Sequence, residues 1–441
     1  LVLSDDEVKN LALVEVEIFL RRCGSSLRDS GTMPFSNLDR NEASTNRPVM
    51  EELNYDRRAL AIENRELVAN MTDEQRNVYG SIMDSVYRTY SCIFFVYGYG
   101  GTGKAYVWRA LSSALRSKGE IVLNVATSGI ASLLIPGGRT AHSRFRIPLN
   151  SVEGSTCDIS QQSPLVELII RCSLIIWDEA PMMNKYCFQE VDNTLRALME
   201  AIDPSRKNLP FCGKCVVLGG DFRQILPIVP KGSRSDIVNA TINLSKLWRD
   251  FIVLRLTRNM RLRSLGGGDE YNELRRFSEW LANIGDGTIG GSNDDCADID
   301  IPDDVLLHSQ GDPIGTIVES TYPMFRSAGD DLSYLKDRAI LAPTLDVVES
   351  VNEYMSSLNS SEGRTYLSSY TPCKSDAGYD SLQDLHTPKF LNGIKCSRLS
   401  NHKLHLKVGT PVMLLINIDH SMGLCKFIKI QYIIYIFTLI F

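Results

Sequence analysis

The segment at 98–105 most constrains what this chain can fold into. It follows an apolar run and reads Gly-Tyr-Gly-Gly-Thr-Gly-Lys-Ala. Glycines at these positions let the backbone turn tightly, so that its N–H groups face phosphate oxygens, and a lysine after them reaches the β- and γ-phosphates. A helix that starts here also points its positive end at the same anion. The segment therefore predicts a strand–loop–helix unit that binds a nucleotide triphosphate, with these contact residues: Gly98, Gly100, Gly101, Thr102, Gly103, Lys104 and Ala105.

The last position of this loop departs from the usual pattern. Ser or Thr is expected there, because its hydroxyl ligates Mg²⁺, and this chain has Ala105. Mg²⁺ normally keeps several waters, so a water can fill the vacated space. We expect nucleotide binding to survive weakly and hydrolysis to fall sharply.

Apolar strands alternate with helical segments around this loop. Thr72 and Gln75 have the spacing of a capping box and predict the start of a helix. Buried strands that alternate with helices indicate a parallel sheet covered on both faces. The predicted strands are 93–97, 121–126, 174–177, 216–218 and 252–254, and the predicted helices are 105–118 and 185–202.

The flanking regions carry weaker signals. Residues 1–65 predict a short helix and a linker, 266–300 a loop or lid, and 360–390 a loop. A strand at 339–341, a helix at 347–358 and a β-type segment at 404–416 are also expected. The predicted divisions are 1–65, a nucleotide-binding lobe at 66–255, a partial second lobe at 256–400, a small β segment at 401–425 and an apolar tail at 426–441.

Composition limits the class of protein. The chain has 441 residues, a net charge of −6 and 11 cysteines. This acidic balance argues against a basic coat for nucleic acid, although it allows a local basic channel. An odd number of cysteines without framework spacing favours free thiols in the nucleus or cytosol. Cys212 and Cys215 form a lone CxxC, which fits a loop before the next strand better than a zinc or redox site.

Two acids end the strand at 174–177. Asp178 can hold a metal, directly or through water, and Glu179 can polarise an attacking water. Taken alone, the pair also fits a solvated strand end. The phosphate loop upstream favours the catalytic interpretation.

Two further segments supply groups for a terminal phosphate. Gln224 follows the strand at 216–218 and can contact the γ-phosphate. Arg261 follows the strand at 252–254, and an arginine in this position accelerates phosphoryl transfer by about 10³–10⁵. An exposed basic turn is the alternative for its neighbour Arg258.

Small hydroxyl residues and basic side chains lie between the loop and the acids. Thr127 and Ser128 at a strand end suit the backbone phosphates of a single strand, and Arg139, Arg144 and His142 add donors. A lone Phe is usually a core residue. The arginines and histidine around Phe145 favour base stacking instead.

The motifs together resemble the PIF-type (petite integration frequency) superfamily-one DNA helicases, most closely the helicase half of Helitron transposon proteins. The resemblance covers 72–425, and the stretch at 1–50 is similar to what precedes the helicase in those proteins. The segments that carry it are GYGGTGKA, ATSGIAS, GGRTAHSRF, LIIWDEAPM, GGDFRQILPIV, LTRNMRL, ILAPT and KLHLKVGTPVMLLINID.

This resemblance implies an α/β fold with a RecA-like, P-loop NTPase lobe and a second, incomplete RecA-like lobe, followed by the start of an SH3-like insertion. It implies an ATP- and Mg²⁺-dependent 5′–3′ helicase that acts on single-stranded and forked duplex DNA in repair, recombination and telomere maintenance. Position by position, the likeness assigns Gln75 to adenine, Lys104 to phosphate, Asp178 and Glu179 to metal and catalysis, Gln224 and Arg261 to the γ-phosphate, and Thr127, Ser128, His142 and Phe145 to DNA.

The C-terminal segment departs from that family. Residues 426–441 do not resemble the two motor motifs that family members carry next, so we expect a C-terminally truncated chain. The alternative function is then a catalytically dead remnant that binds nucleotide or single-stranded DNA without turnover. An unrelated P-loop NTPase fits GGDFRQ and TAHSRF poorly. The apolar tail is shorter than the ~20 residues that span a membrane, and we expect no membrane partner and a nuclear location.

Overall fold

The computed structural model describes residues 46–88, 92–200, 202–262, 268–290, 298–325, 338–368, 402–413 and 429–431, with single residues at 9, 13, 17, 27, 34, 334 and 392. These residues divide into two compact units, 1–289 and 290–441. Most of the predicted helix near the N-terminus and most of the predicted apolar tail lie outside the described residues. The predicted domain bounds stay predictions.

Ten helices and a six-stranded sheet make up the described part of unit one. The strands are β1 Ile93–Gly98, β2 Ile121–Ala126, β3 Arg139–Thr140, β4 Cys172–Asp178, β5 Cys215–Gly220 and β6 Phe251–Leu256. The helices are α1 Arg47–Leu53, α2 Arg57–Ala69, α3 Asp73–Val86, α4 Lys104–Ser117, α5 Gly129–Leu133, α6 Ala141–Phe145, α7 Pro164–Arg171, α8 Lys185–Glu200, α9 Arg234–Asn239 and α10 Asp269–Asp286.

The sheet is parallel throughout, with the strand order β3-β2-β4-β5-β1-β6. Residues of β1 alternate between two apolar cores: Ile93 and Phe95 pack on one face, and Phe94 and Val96 pack on the other. Successive side chains of a strand point to opposite faces, so both faces of this sheet are covered by helices. The predicted α/β class with a parallel sheet is confirmed.

Most of the predicted elements of unit one form. The five predicted strands match β1, β2, β4, β5 and β6, and the predicted helices match α4 and α8. The capping box is present, because the Thr72 hydroxyl accepts from the Gln75 N–H and the Gln75 side chain accepts from the Thr72 N–H. Strand β3 was missed, since a two-residue strand has no periodicity to detect.

Two predictions in unit one are wrong. Helices α1 and α2 replace the linker expected before residue 65, and each starts at an Asx cap, Asn46 or Asp56. Helix α10 occupies 18 residues of the expected loop or lid and ends at Gly287, which has a φ of 69°. The loop was predicted because glycines at both ends of α10 dominate the composition of this segment. In the structure these glycines mark where the helix starts and ends.

Unit two contains two described helices, α11 Pro313–Thr321 and α12 Leu345–Leu358. Strands β7 Gly363–Leu367 and β8 Lys403–Lys407 pair antiparallel, as do β9 Pro411–Met413 and β10 Lys429–Gln431. The predicted helix at 347–358 is confirmed, and the described part of the predicted β-type segment at 404–416, residues 404–413, contains β8 and β9. The expected strand at 339–341 is not formed, and Leu341 is 94% exposed. Strand β7 lies in the expected 360–390 loop, and residues 369–390 lie outside the described residues.

The CxxC pair lies where a loop feeds a strand, as predicted. A short 3₁₀ turn, Pro210–Gly213, leads into β5. Cys212 and Cys215 are buried free thiols, and burial raises their pKa to about 11 and about 12. Thiols this basic are poor nucleophiles and poor metal ligands.

Among the described residues, none of the helices combines the length and apolar character needed to cross a bilayer.

Candidate nucleotide and DNA site

The carboxyl ends of the parallel strands bring the predicted phosphate loop and acids to one edge of the sheet. Gly98 ends β1, Asp178 ends β4, and Gly220 ends the strand that pairs with both. The register pairs Tyr97 with Gly220 and Trp177 with Leu218. Ligands of open α/β sheets bind at this edge. The spatial relationship that the sequence predicted is therefore present.

The loop at 98–105 turns as its glycines allow. Gly101 and Gly103 have φ values of 93° and 85°, in the left-handed region that side chains disfavour. Helix α4 starts at Lys104 directly after this turn, so its unpaired N–H groups lie at the loop. Lys104 is buried, and its ammonium donates to the Gly98 carbonyl. The lysine is thus held inside the loop.

Gln75 is packed against the phosphate loop. Its side-chain amide donates to the Thr102 carbonyl over 3.3 Å, and its side-chain oxygen accepts from the Thr72 N–H over 3.1 Å. Gln75 is only 2% exposed. Both ends of its amide are therefore used within the protein, and the residue supports the loop. Its predicted contact with adenine stays a prediction.

Asp178 is buried and Glu179 is half-buried, and each carboxylate has one buried acceptor atom that is not used. Among the described residues, Asp178 Oδ1 and Glu179 Oε2 have no hydrogen-bond partner. Burial raises the pKa of Asp178, which the Trp108 indole and the Lys104 charge partly oppose. Burial also raises the pKa of Glu179, as do the charges of Asp178 and Asp221. Carboxylate oxygens that have no partner within the protein are the donors that a hard cation such as Mg²⁺ prefers.

Glu179 is held in a strained backbone conformation. Its φ is 53°, in the left-handed region, and it precedes the 3₁₀ turn Ala180–Met182. Such a conformation costs about 1–3 kcal/mol and persists where the surrounding structure imposes it. A methyl group placed on Gly220 would lie 2.1 Å from Cδ of Pro181, so the turn packs directly on β5.

Sequence reasoning missed two groups beside these acids. Trp108 follows Lys104 by one helical turn on α4, and Asp221 directly follows β5, whereas Asp178 is the last residue of β4. A methyl group on Gly219 would lie 2.4 Å from the Trp108 ring and 3.3 Å from Asp178 Oδ1. Both signals were present, since i and i+4 residues share a helix face and strand ends share an edge.

The segment at 257–261 lies directly on the phosphate loop. The Met260 N–H donates to the Gly101 carbonyl over 2.8 Å, and the Tyr99 hydroxyl donates to the Thr257 carbonyl over 2.6 Å. A methyl group on Gly101 would lie 3.3 Å from Cδ of Arg261. The structure therefore brings the exposed Arg261 side chain to the loop. Its predicted γ-phosphate contact stays a prediction.

Glu74 and Arg223 anchor the surroundings of that segment. The Glu74 carboxylate accepts from the Thr257 N–H over 2.8 Å and from the Thr257 hydroxyl over 2.6 Å. Arg223 forms a two-pronged ion pair with Asp286, at 2.6 and 2.8 Å. Gln224, the next residue, is exposed at the same edge. Its predicted γ-phosphate contact stays a prediction.

A cleft with a volume of about 1080 Å³ lies beside the loop. Its wall combines apolar and aromatic side chains with three arginines: Met71, Tyr99, Met260, Leu262, Tyr271, Arg223, Arg258 and Arg275. Clefts of this size and mixed lining accept small ligands. Gln75 is not among the residues that line it.

The predicted DNA residues fall into two groups. Thr127 and Ser128 lie at the carboxyl end of β2, where the Thr127 N–H donates to the Asp178 carbonyl over 3.1 Å and Ser128 caps α5. His142 is partly exposed on α6. These three residues lie at or near the edge that carries the acids. Their DNA contacts stay predictions.

The base-stacking prediction for Phe145 is wrong. Phe145 is 1% exposed and stacks on Trp177, with ring centroids 5.7 Å apart. Arg144 is also buried and pairs with Glu52 over 2.9 Å, so it is no surface donor. The bland alternative, that a lone Phe belongs to the core, is correct.

The fold and the site define a class: an α/β nucleotide-binding domain with a phosphate loop and two strand-end acids on one edge of a parallel sheet. A family model described as PIF1-like helicase matches residues 70–295, just over half of the chain. A second model, DNA helicase Pif1, 2B domain, matches 389–431. The chain belongs to the PIF1-like helicase family.

Two proteins with similar sequences are named as DNA helicases of the PIF type. The ATP-dependent DNA helicase PIF4 of Trypanosoma brucei brucei is 33% identical over 136 residues, which are 30% of this chain and 16% of that protein. The ATP-dependent DNA helicase PIF1 of Homo sapiens is 30% identical over 169 residues, 36% of this chain and 25% of that protein. The chain thus spans a quarter or less of the length of these relatives.

The fold is also similar to that of a solved structure, of two coordinating Pif1 helicases at forked duplex DNA. The TM-score is 0.51 at 22% identity, over 82% of this chain and 71% of that one. At 22% identity, this similarity supports the assignment of the fold alone.

Proposed function

We propose that this chain is an ATP-dependent DNA helicase that couples ATP hydrolysis to 5′–3′ movement on single-stranded DNA and to opening of forked duplex. One observation carries the proposal: the phosphate loop at 98–105 and the Asp178–Glu179 pair lie on one edge of a parallel sheet. The family membership and the helicase names of the relatives support it.

The nucleotide triphosphate would bind along the loop. Backbone N–H groups at the start of α4 and the Lys104 ammonium would bind its phosphates, and Arg261 would reach the same anion. The base would enter the adjoining cleft. Lys104 would exchange its bond with the Gly98 carbonyl for one to phosphate.

Asp178 and Glu179 would divide two tasks. Asp178 would hold Mg²⁺, since its buried Oδ1 has no partner among the described residues. When bound, Mg²⁺ neutralises charge on the phosphates and orients them. Glu179, whose pKa burial raises, would accept a proton from the attacking water.

Single-stranded DNA would cross the edge at Thr127, Ser128 and His142. Hydroxyl and imidazole donors at a strand end suit backbone phosphates. We further propose a nuclear location, a role in DNA repair, recombination and telomere maintenance, and an origin in a Helitron transposon protein. The resemblance of the sequence motifs supports these assignments.

One observation favours a second function, in which nucleotide or single-stranded DNA binds without turnover. Ala105 supplies no hydroxyl at the position where the metal is usually ligated. The rest of the loop keeps its geometry, so binding would survive where hydrolysis does not.

Variants of residue 105 distinguish the two functions. Phosphate release would be measured with and without single-stranded DNA for the native chain, Ala105→Thr and Ala105→Val, and affinity for a fluorescent ATP analogue for each. Higher turnover in Ala105→Thr alone supports the helicase site with a missing hydroxyl. Analogue binding without turnover in every variant supports the second function. No analogue binding by the native chain would refute the helicase function, and the additional absence of single-stranded DNA binding would refute the second function.

Lys104→Ala is the control for contamination. Turnover that survives this change does not come from the loop. Duplex opening is then tested on a fork with a 5′ single-stranded tail, against a fork with a 3′ tail only. Opening of the 3′-tailed fork alone would contradict the proposed direction.

A further inference from the structure

A buried carboxylate joins two buried arginines in unit one. Glu52 of α1 accepts from Arg116 over 3.1 Å and from Arg144 over 2.9 Å. The three side chains are between 1% and 7% exposed. Helix α1 thereby links the last turn of α4, which begins at the phosphate loop, to α6, which carries His142.

Arg116 also holds the chain that leads into α6. One of its guanidinium nitrogens donates to the Pro136 carbonyl over 2.9 Å, and another to the Val122 carbonyl over 3.2 Å. The guanidinium lies 4.3 Å from the ring centre of Tyr55. A methyl group on Gly137 would lie 2.5 Å from the Tyr55 hydroxyl. The backbone at 136–137 is therefore enclosed by the residues around Glu52.

Helix α1 is itself anchored at its N-terminal cap and through a core side chain of its first turn. The Asn46 amide donates to the Pro164 carbonyl and to the Glu167 carboxylate, each over 2.8 Å. Val49 belongs to the same apolar core as Phe145 and Leu168. Residues 46–56 precede position 70, where the match to the family model starts. This helix is thus a built part of the nucleotide-binding unit that the family match does not cover.

A buried triad of this kind is a poor source of stability. Desolvation of three charges offsets most of their attraction, and apolar residues of similar volume often stabilise a fold as well or better. What the triad does provide is a fixed geometry, because each planar guanidinium can donate hydrogen bonds in only a few directions. Glu52, Arg116 and Arg144 also lie far apart in the sequence, so they fix the relation between separate elements.

We propose that Glu52 is a positioning residue, which orders the segment 136–146 through its ion pairs with Arg116 and Arg144 and so prepares that segment to bind single-stranded DNA. The role in DNA binding rests on the proposed function. The ordering of the segment does not.

Glu52→Gln and its neighbour Glu51→Gln test the proposal as a matched pair. Both change a carboxylate of α1 to an amide, but the ion pair of Glu51 with Arg139 is long, at 3.5 Å, and exposed. In Glu52→Gln we expect amide hydrogen exchange at 136–146 to rise by about tenfold and single-strand affinity to fall by about tenfold, as for other coupled pairs. Affinity for an ATP analogue should stay unchanged. Glu51→Gln should match the native chain in all three.

Two results would overturn the proposal. One is native exchange at 136–146 in Glu52→Gln. The other is faster exchange throughout unit one, which would make Glu52 a general structural residue. If Glu52→Gln does not fold, the triple variant Glu52→Leu, Arg116→Met, Arg144→Met replaces it, and native exchange at 136–146 in that variant also refutes the idea.

The DNA arm separates this proposal from the proposed function. If the native chain binds no single-stranded DNA, the proposed function fails, whereas exchange at 136–146 still decides whether Glu52 orders the segment. If the native chain binds DNA and Glu52→Gln binds it equally well despite faster exchange, the link to DNA binding is wrong.

Discussion

Phe145 stacks on Trp177, with ring centroids 5.7 Å apart, and Trp177 is the residue directly before Asp178. The Trp177 indole N–H also donates to the Thr127 hydroxyl over 3.3 Å. Trp177 thus contacts both Thr127 of the proposed DNA edge and Phe145 of α6, and it directly precedes Asp178, the acid proposed to hold Mg²⁺. Because the interior is close-packed, we expect a displacement of α6 to shift the end of β4 through Trp177.

Replacement of Phe145 separates a core role from base stacking. Phe145→Ala should lower the free energy of unfolding by about 3–5 kcal/mol, the usual cost of such a cavity. Phe145→Leu keeps more of the volume and should be much milder. Denaturant unfolding would measure both. Direct stacking would instead cost about 1–3 kcal/mol of DNA affinity, so a loss of that size in folded Phe145→Leu would contradict the core assignment.

The phosphate loop offers a matched pair of glycines. Gly103 has a φ of 85°, and a methyl group there would lie 2.3 Å from the amide nitrogen of Gln75. A methyl group on Gly100 would meet nothing within 4 Å. We expect Gly103→Ala to abolish binding of an ATP analogue and Gly100→Ala to leave the fold intact, with much weaker effects on affinity. Equal loss in both variants would show that the strain at 103 is not what matters.

The sequence predicts this site well wherever a local pattern determines it. Strand ends of a parallel sheet meet at one edge, so Gly98, Asp178 and Gln224 could be placed together before any coordinates. A capping box needs only four residues, and the Thr72–Gln75 pair is present as expected. The missing information concerned distant partners. Arg144 looked like a surface donor because its partner, Glu52, lies 92 positions away.

Helix α10 was hidden for a different reason. Gly268 and Gly287 flank the helix. When the composition is averaged over the whole segment, such glycines suggest a loop. Considered one position at a time, Gly268 precedes the start of an amphipathic run and Gly287 follows its end. The burial of Gln75 could not be read either, because its partner Thr102 lies in another element.

Burial of Asp178 predicts a trade between stability and function. Its pKa is raised in the folded chain, mainly by burial. The folded state therefore holds its proton more tightly than the unfolded state, and stability falls as pH rises through the folded pKa. Asp178→Asn removes this pH-dependent loss of stability. It should stabilise the chain by about 0.5–2 kcal/mol at neutral pH, as other substitutions that relieve a destabilised functional site do. The same change should abolish turnover.

Thermal unfolding of both chains without Mg²⁺, from about pH 4 to about pH 8, would measure this effect. The advantage of Asp178→Asn should grow as pH rises. Asp203→Asn is a control of opposite sign, because hydrogen bonds from Ser205 lower the pKa of Asp203. Asp203 stabilises the fold above its unfolded pKa, and that contribution is lost as pH falls. An advantage of Asp178→Asn that is constant with pH would exclude the titration of Asp178 as its cause.

Arg261 provides the test of the γ-phosphate assignment. Its side chain packs on Gly101 of the loop, and its own N–H donates to the Asn259 side chain over 3.0 Å. In an Ala105→Thr background, Arg261→Ala should lower the turnover number by about 10³–10⁵ and change analogue affinity little, because the charge acts on the transition state. Arg255→Ala changes an exposed side chain of the edge strand β6; it is the matched control and should turn over normally. A higher KM at unchanged kcat in Arg261→Ala would instead mean that Arg261 binds the ground state, since only an interaction stronger in the transition state changes kcat.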